Sequence, residues 1–215
     1  MSEKKILTKE IAEGYLEDEF SIPLDEFTEI DAAAAEILID CDGLELNSLD
    51  EINASVATNL SQISGELYLN GLKQLSDSVA DALSQFSGTD LNLNGLKELS
   101  DSAAESLSKL DIDTEAFNWE TGESYHGGTL MLSGLTDISA EAAESLSNFK
   151  GAELGLMSLT SLCDAAAESL SKYEGYLDLM GLTELSDAAA KFLAKIDPDK
   201  IVLSEAIEAQ VARYR

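Results

Sequence analysis

The side chains that most often carry out enzyme chemistry form no recognisable catalytic group in this chain. The single histidine, His126, has no cysteine near it, and the common Ser and Asp residues define no Ser/His/Asp arrangement. No phosphate-binding loop, CxxC pair or HExxH motif occurs. We therefore expect no catalytic residues and no cofactor, and the protein is not expected to be an enzyme.

One short acidic segment has side chains that suit a cation. Asp111, Asp113 and Glu115 alternate along the chain and could offer carboxylate oxygens to calcium. The segment lacks the glycine and the distal bidentate glutamate of a helix–loop–helix calcium site. We expect no metal ligands, and a metal-dependent regulator that uses residues 110–129 is kept only as a third hypothesis of function.

The charge balance restricts the partners that the protein can bind. The chain carries 42 acidic against 13 basic residues, a formal net charge of −29. Such a charge disfavours binding to nucleic-acid phosphates and suits either a basic protein partner or solubility alone. The sequence has no run of about 18 apolar residues and no apolar core after its first lysines, so neither a membrane span nor a signal peptide is expected.

The elements that must position any functional residue come from an internal repeat. The stretch at residues 67–88, LYLNGLKQLSDSVADALSQFSG, recurs in close copies and then in looser ones. The close copies begin at Leu91, Leu130, Leu154 and Leu177, and the looser ones at Ile22, Leu44 and Ile201. The spacing is 22 to 24 residues, except for the 39 residues between the starts at 91 and 130. A fixed period of this length predicts a solenoid of stacked units.

Each unit predicts a short strand followed by a helix. Leu67 and Leu69 flank one polar position and therefore lie on one face of a strand. Ser76 offers a hydroxyl as a helix cap, and Asp77 places a carboxylate in the first helical turn. Apolar residues follow at helical spacing over residues 79–83. Because one unit cannot bury its own leucines, the units are expected to stack with their strands in parallel.

The unit resembles a leucine-rich repeat. The run L-x-L-x-x-L-x-x-L-S-D-x-A-A-x-x-L-S is most similar to the cysteine-containing subclass, known from receptor subunits of F-box ubiquitin ligases. The repeat of about 23 residues is shorter than in that subclass. Leucine also replaces the Cys of that subclass, or the buried Asn ladder of other repeats, at Leu72, Leu96, Leu135, Leu159 and Leu182.

The resemblance covers roughly residues 22–204 and implies an α/β fold. It implies a right-handed α/β horseshoe, with about eight short parallel strands on the concave face and helices on the convex face. It implies no ubiquitin role.

The expected organisation is one leucine-rich-repeat domain over residues 1–215. Its parts are an N-terminal capping helix (1–20), repeats (22–109), an insertion or degenerate repeat (110–129), repeats (130–203) and a C-terminal capping helix (204–215). Thr8 and Ser204 are expected to cap the two terminal helices, and the first strand is expected at residues 22–24. Ile11, Tyr15 and Leu16 are expected to form the apolar side of the first helix.

The two cysteines are expected to be free thiols. Cys41 and Cys163 lie five repeats apart, which corresponds to about 24 Å at about 4.8 Å per strand. A disulfide needs Cα atoms within about 7 Å. Cys163 takes the helix-cap place that serine holds elsewhere, and a silent exchange of Ser for Cys is the simplest interpretation. Free thiols suit a reducing compartment, so a cytoplasmic location is expected.

The insertion leaves two structures open. It forms either a degenerate unit whose strand lies at residues 117–119, or a hairpin or loop that projects from the array. It contains Trp119 and Tyr125, and insertions in solenoids often carry contacts. Alternatively, these aromatic side chains fold back onto the convex side.

The most informative residues lie between and beside the strand leucines, on the side that faces away from the helices. The first half of this surface is rich in Asn and carboxylates, and the second half collects three methionines. Exposed methionines form an adaptable apolar patch, whereas a buried methionine stripe would belong to the core. The candidate partner-binding residues are Met131, Met157, Met180, Tyr176, Tyr68, Asp178, Trp119 and Tyr125.

We therefore expect a non-catalytic protein–protein interaction module that binds a partner through its concave strand face. Self-association into a homodimer through the same patch, or through an imperfectly capped end, is the main alternative. The expected partner is another protein with basic character, with no nucleic acid and no membrane, and the chain is expected to be a monomer or a homodimer.

Overall fold

The computed structural model of the chain describes residues 4–112, 115–118 and 123–215, with 115–118 and 123–126 as backbone only. Strands and helices alternate along these ranges. The strands are β1 Ile6–Leu7, β2 Glu29–Ile30, β3 Leu44–Glu45, β4 Glu66–Tyr68, β5 Asp90–Asn92, β6 Glu115–Asn118, β7 Glu123–His126, β8 Thr129–Met131, β9 Glu153–Gly155, β10 Tyr176–Leu179 and β11 Ile201–Leu203. The α-helices are α1 Lys9–Glu17, α2 Ala32–Ile37, α3 Ala54–Leu60, α4 Asp77–Leu83, α5 Asp101–Leu107, α6 Ala140–Leu146, α7 Asp164–Leu170, α8 Asp187–Leu193 and α9 Glu205–Val211.

Seven strands form one parallel sheet in the order β11-β10-β9-β8-β5-β4-β3. Equivalent residues of successive repeats lie side by side, as Leu67 does with Leu91 and Leu130 with Leu154. A slip of one residue would turn every leucine to the other face, so the alternation of apolar and polar residues specifies this register. The expected mixed α/β architecture with parallel strands is confirmed.

The core lies between the sheet and the helices. The second residue of each central strand, and the residue two positions after it, are buried leucines, as at Leu67 and Leu69. The helices present alanine to them, and Ala103 and Ala104 are also fully buried. Each helix from α1 to α8 packs against the next one in the chain. Small side chains permit this close approach of helix to helix and of helix to sheet.

Most helices begin at the residue that the repeat pattern predicts. The capping hydroxyl of the repeat accepts the backbone N–H three residues later at Ser76, Ser100, Ser139 and Ser186. Asn53 and Asp31 do the same with their side-chain oxygens in the two looser repeats. Cys163 Sγ accepts from Ala166 N at 3.4 Å, so the thiol replaces the serine in this role.

The expected caps of the terminal helices are wrong in detail. Thr8 precedes α1 but makes no cap bond, and its hydroxyl instead donates to Glu10 Oε2 at 2.9 Å. Ser204 precedes α9, and its hydroxyl donates to the carbonyl oxygen of Leu182 at 2.8 Å. This contact ties the last helix to the preceding repeat, because the hydroxyl reaches a neighbouring loop rather than its own helix.

The N-terminal region differs most from the expected repeat pattern. From residue 4 onward, where the structure describes the chain, the helix predicted over residues 1–20 is confined to α1, and β1 before it pairs in parallel with β2 to form a separate two-stranded sheet. Leu16, expected on the apolar side of α1, is exposed.

The strand expected at residues 22–24 is absent, because Leu24–Glu26 forms a 3-10 turn. Pro23 has φ fixed at −72°, and Asp25 and Glu26 supply acidic side chains to the first turn, so turn formation overrides the apolar alternation. Among the described residues, the main sheet therefore has seven strands rather than about eight.

The insertion contains a hairpin. β6 and β7 pair antiparallel with each other, and β5 pairs directly with β8. Of the two alternatives for residues 110–129, the described residues form the hairpin, and residues 117 and 118 of the predicted degenerate-repeat strand pair within it and not with the main sheet. The insertion therefore lengthens the connection between two neighbouring strands without adding a strand between them.

Candidate interaction surface

Within the ranges that the structure describes, one face of the sheet carries no helices, and we call it the open face. Its residues alternate with the buried leucines and form three rows that cross the strands. The rows are Glu66, Asp90, Thr129, Glu153 and Tyr176; then Glu45, Tyr68, Asn92, Met131, Gly155 and Asp178; and then Asn47, Asn70, Asn94, Ser133, Met157 and Met180.

An asparagine ladder occupies the first half of the third row. Asn47 Oδ1 accepts from Asn70 Nδ2 at 2.8 Å and from Asn70 N at 3.3 Å. Asn70 Oδ1 accepts from Asn94 N at 2.9 Å, and Asn94 Oδ1 accepts from Ser133 N at 2.8 Å. Each side chain therefore satisfies the backbone of the next repeat, so these residues hold the repeats together.

The sequence interpretation missed this ladder. Leucine fills the inward place, at Leu72, where other leucine-rich repeats carry an Asn ladder, whereas the observed bonds form two residues after the end of each strand. Asn at the same place in three successive repeats, at Asn47, Asn70 and Asn94, was the available signal. A side-chain amide that recurs at one repeat position can bond to the neighbouring repeat at every step.

The second half of the third row is apolar and exposed. Met157 is 47% exposed and Met180 is 55% exposed, and they lie at the same position of neighbouring strands. Tyr176, at the start of β10, is 37% exposed. The core interpretation of the methionines is wrong for Met157 and Met180, because leucines fill the opposite face. We call Met157, Met180 and Tyr176 the methionine patch.

Met131 contributes less to this surface than expected. It is partly buried, and it lies beside Gly155 in the strand register. A Cβ atom built on Gly155 would lie 2.4 Å from Met131 Sδ. The thioether therefore lies across the glycine and fills the space that a side chain would take, which is the adaptable packing typical of methionine.

Asp178 and Tyr68 are both partly buried and hydrogen-bonded. Asp178 Oδ1 accepts from Met180 N at 3.0 Å, so it orients the backbone of the methionine patch. The Tyr68 hydroxyl donates to Glu66 Oε2 at 2.7 Å. This bond, with burial and the neighbouring carboxylates, raises the pKa of Tyr68 to about 12.

Carboxylates flank the methionine patch. Burial, together with Asp178 and Asp90, raises the pKa of Glu153 above its usual value, because the negative charge is poorly hydrated beside other negative charges. Asp90 Oδ1 also accepts a hydrogen bond from the Thr129 hydroxyl. Within the described residues, the ion pairs lie elsewhere on the molecule, and none involves a carboxylate of the open face.

The remaining two candidate residues belong to the insertion. Trp119 and the side chain of Tyr125 lie outside the described residues. The backbone of β7 runs through Tyr125 and ends at His126, three residues before β8 begins. The hairpin is therefore joined directly to the strand that carries Met131.

Both cysteines are unpaired, as expected. Burial, with Glu19, Asp40 and Asp42 nearby, raises the pKa of the Cys41 thiol to about 11. Cys163 is exposed.

Comparison with known proteins supplies no relative: no protein-family model matches the chain, and no curated protein matches it. In the part of the chain that the structure describes, no helix is both long enough and apolar enough to cross a bilayer.

Proposed function

We propose that this protein is a non-catalytic recognition module that binds another protein through the open face of its sheet. The observation that carries the proposal is the methionine patch, in which Met157 and Met180 expose about half of their surface at adjacent strands. In this proposal the chain is a right-handed leucine-rich-repeat horseshoe, with the open face concave and the helices convex. Its parallel strands and its repeating leucines support that assignment.

The physical basis is a rigid frame with adaptable side chains. The strands are held in register by backbone bonds, so a partner would lose entropy on binding while the scaffold would lose little. Methionine side chains adjust to the shape of an apolar partner surface. Glu153 and Asp178 lie beside the patch, and their charges favour a partner whose apolar contact is surrounded by lysine or arginine.

The proposal has two further parts, the cellular location and a second candidate function. Two unpaired thiols suit a reducing compartment, so we place the protein in the cytoplasm. Self-association is the second candidate, because a patch of this kind on two copies could meet across a twofold axis. The net charge of −29 opposes it, since two copies would repel each other at the contact.

The test compares two double variants that make the same charge change. Met157→Asp with Met180→Asp places two carboxylates on the patch. Ala165→Asp with Ala188→Asp places two carboxylates in the same two repeats, at exposed positions in the first turns of α7 and α8. Carboxylates in a first helical turn are favourable, so the control is expected to keep the melting temperature.

We expect wild type and the alanine control to retain a partner from a lysate of the native host, and the methionine variant to lose it. The molar mass of all three is measured in solution by light scattering. A dimeric wild type with a monomeric methionine variant and no retained partner would establish self-association. Equal retention by all three proteins would refute a role for the methionine patch.

A further inference from the structure

The helices extend further along the molecule than the main sheet does. α1 packs on α2, and α2 packs on α3, but the sheet begins only at β3, immediately before α3. Residues 22–24, which the repeat pattern would place beside β3, lead into the 3-10 turn Leu24–Glu26 and form no strand. No described strand pairs with the outer edge of β3, so the strand position next to it is vacant.

A cleft lies at this vacant position. Its volume is about 430 Å³, in the range of peptide and ligand sites. From the N-terminal region it is lined by Tyr15, Glu19 and residues 22–25, and from the sheet by residues 43–45, Asn47, Glu66 and Tyr68. The cleft therefore lies between the N-terminal region and β3, and it extends to residues of β4.

The backbone of Glu45 faces this cleft. Leu46 N donates to the carbonyl oxygen of Tyr68 at 2.9 Å, and Glu45 is the register partner of Tyr68. In a parallel pair with this pattern, the residues on either side of Glu45 bond to β4, so the N–H and C=O of Glu45 point the other way. Among the described residues neither group has a hydrogen-bond partner.

The next five strands of the sheet show which hydrogen bond the carbonyl of Glu45 lacks. The carbonyl at the position equivalent to Glu45 accepts an N–H from the preceding strand at 2.8 to 2.9 Å in each of the next five strands, at Tyr68, Asn92, Met131, Gly155 and Asp178. At Glu45 this donor is absent because residues 22–24 turn away. An unpaired strand edge beside a cleft is the geometry that accepts an added strand.

The side chains around the cleft indicate the chemistry of the occupant. Glu19, Asp25, Glu45 and Glu66 line it, and no lysine or arginine does. A second copy of this chain would bring a further charge of −29 to this acidic edge, which disfavours it.

We propose that the free edge of β3 binds an extended, lysine- or arginine-rich protein segment as an added strand. The Glu45 N–H donates to a carbonyl of that segment, the Glu45 carbonyl accepts one of its N–H groups, and the cleft carboxylates pair with its basic side chains. This site is separate from the methionine patch and does not depend on the function proposed for that patch.

The first experiment uses a capped heptapeptide of alternating lysine and valine, with affinity measured by calorimetry. Its valines face the core in the proposed arrangement, and their N–H groups point toward β3. A peptide with N-methyl groups on the valines keeps the charge and removes these donors. We expect the N-methylated peptide to bind at least about tenfold more weakly, because it loses one or more hydrogen bonds in a partly buried site.

The second experiment changes the edge itself. Glu45→Pro removes the outward N–H and places a ring at the edge, while the bonds of Leu44 and Leu46 to β4 stay intact. Glu45→Gln removes only the charge. We expect Glu45→Pro to lose the peptide and Glu45→Gln to retain it with an affinity within about fivefold of wild type, since one exposed ion pair contributes little.

The hydrogen-exchange rate of the Glu45 amide in wild type, with and without peptide, tests the proposed strand pairing even if Glu45→Pro does not fold. We expect saturating peptide to slow this exchange at least about tenfold, because the amide becomes hydrogen-bonded. Unchanged exchange with bound peptide, or equal binding of the N-methylated peptide, would overturn the proposal. A wild-type oligomer that Glu45→Pro converts to monomer would overturn it in favour of a second copy.

The Met157→Asp, Met180→Asp variant separates this proposal from the function proposed for the open face. We expect the variant to bind the heptapeptide as tightly as wild type, because the two methionines lie just after β9 and β10, which are far from β3 in the sheet order. Loss of the lysate partner with retention of the peptide would support both proposals, and loss of the peptide would refute a site at β3.

Discussion

Asn70→Ala tests the conclusion that the first half of the open face is structural. Asn70 accepts from Asn94 N at 2.9 Å and donates from Nδ2 to Asn47 at 2.8 Å. The substitution leaves the partly buried N–H of Asn94 without its acceptor. It also removes Asn70 Nδ2, which donates a hydrogen bond to Asn47 Oδ1. An unsatisfied buried donor costs about 1–3 kcal/mol, and the site is partly buried, so we expect a loss of about 2 kcal/mol.

Urea denaturation followed by circular dichroism measures this loss, and thermal unfolding measures it independently. For a chain of this size, about 2 kcal/mol corresponds to a fall in melting temperature of about 4–8 °C. The denaturant slope should stay unchanged, because the variant exposes the same surface on unfolding. A changed slope would show that the repeats no longer unfold together.

The matched control is Met180→Ala, at the same position of a later repeat. Met180 is 55% exposed and makes no ladder bond through its side chain, so truncation should change stability by less than about 0.5 kcal/mol. The reasoning is refuted if Asn70→Ala costs no more than Met180→Ala. In that case the asparagines would be free surface residues, and the first half of the open face would regain its place as a candidate contact surface.

Two further predictions follow from perturbed side chains. At pH 8 a thiol reagent should modify one cysteine per chain quickly, because Cys163 is exposed whereas burial raises the pKa of Cys41 to about 11. The variant Cys163→Ser should lose this fast phase of modification. Fast modification of both cysteines would contradict the burial of Cys41 in this fold. Burial and the charges of Asp178 and Asp90 raise the folded-state pKa of Glu153, so the folded protein binds its proton more readily than the unfolded chain and stability falls as pH rises above 4.5. Glu153→Gln should therefore be more stable than wild type at pH 7, with the difference vanishing below pH 4.5, and a less stable variant at pH 7 would contradict this assignment.

Local sequence was sufficient to predict the repeating unit. Ser76 caps a helix through a bond to a backbone N–H three residues away, so a short stretch of chain contains the whole interaction. The alternation of Leu67 and Leu69 determines which face of the strand is buried, and the same alternation in each repeat brings equivalent leucines side by side. These features depend on neighbours in the chain, and that is why they could be predicted.

Contacts between repeats could not be predicted in the same way. The burial of Met131 depends on Gly155, which lies 24 residues away and leaves room for the thioether. The asparagines were assigned to the exposed surface because they stand beside the inward leucines in the repeat, whereas their bonds go to the backbone of the next repeat. Both outcomes depend on which residue the register places alongside.

The sequence by itself determined the period, the helix starts, the buried leucines and the parallel register, because each is repeated at every unit and each repetition reinforces the others. Only the tertiary structure decided where the repetition ends. At residues 22–24 the apolar alternation competes with Pro23 and the acidic turn that follows it, and the turn prevails. As a result the backbone of Glu45 has no partner among the described residues. Whether a strand lies at the edge of a sheet depends on whether another segment pairs with it, and the strand's own sequence does not show this.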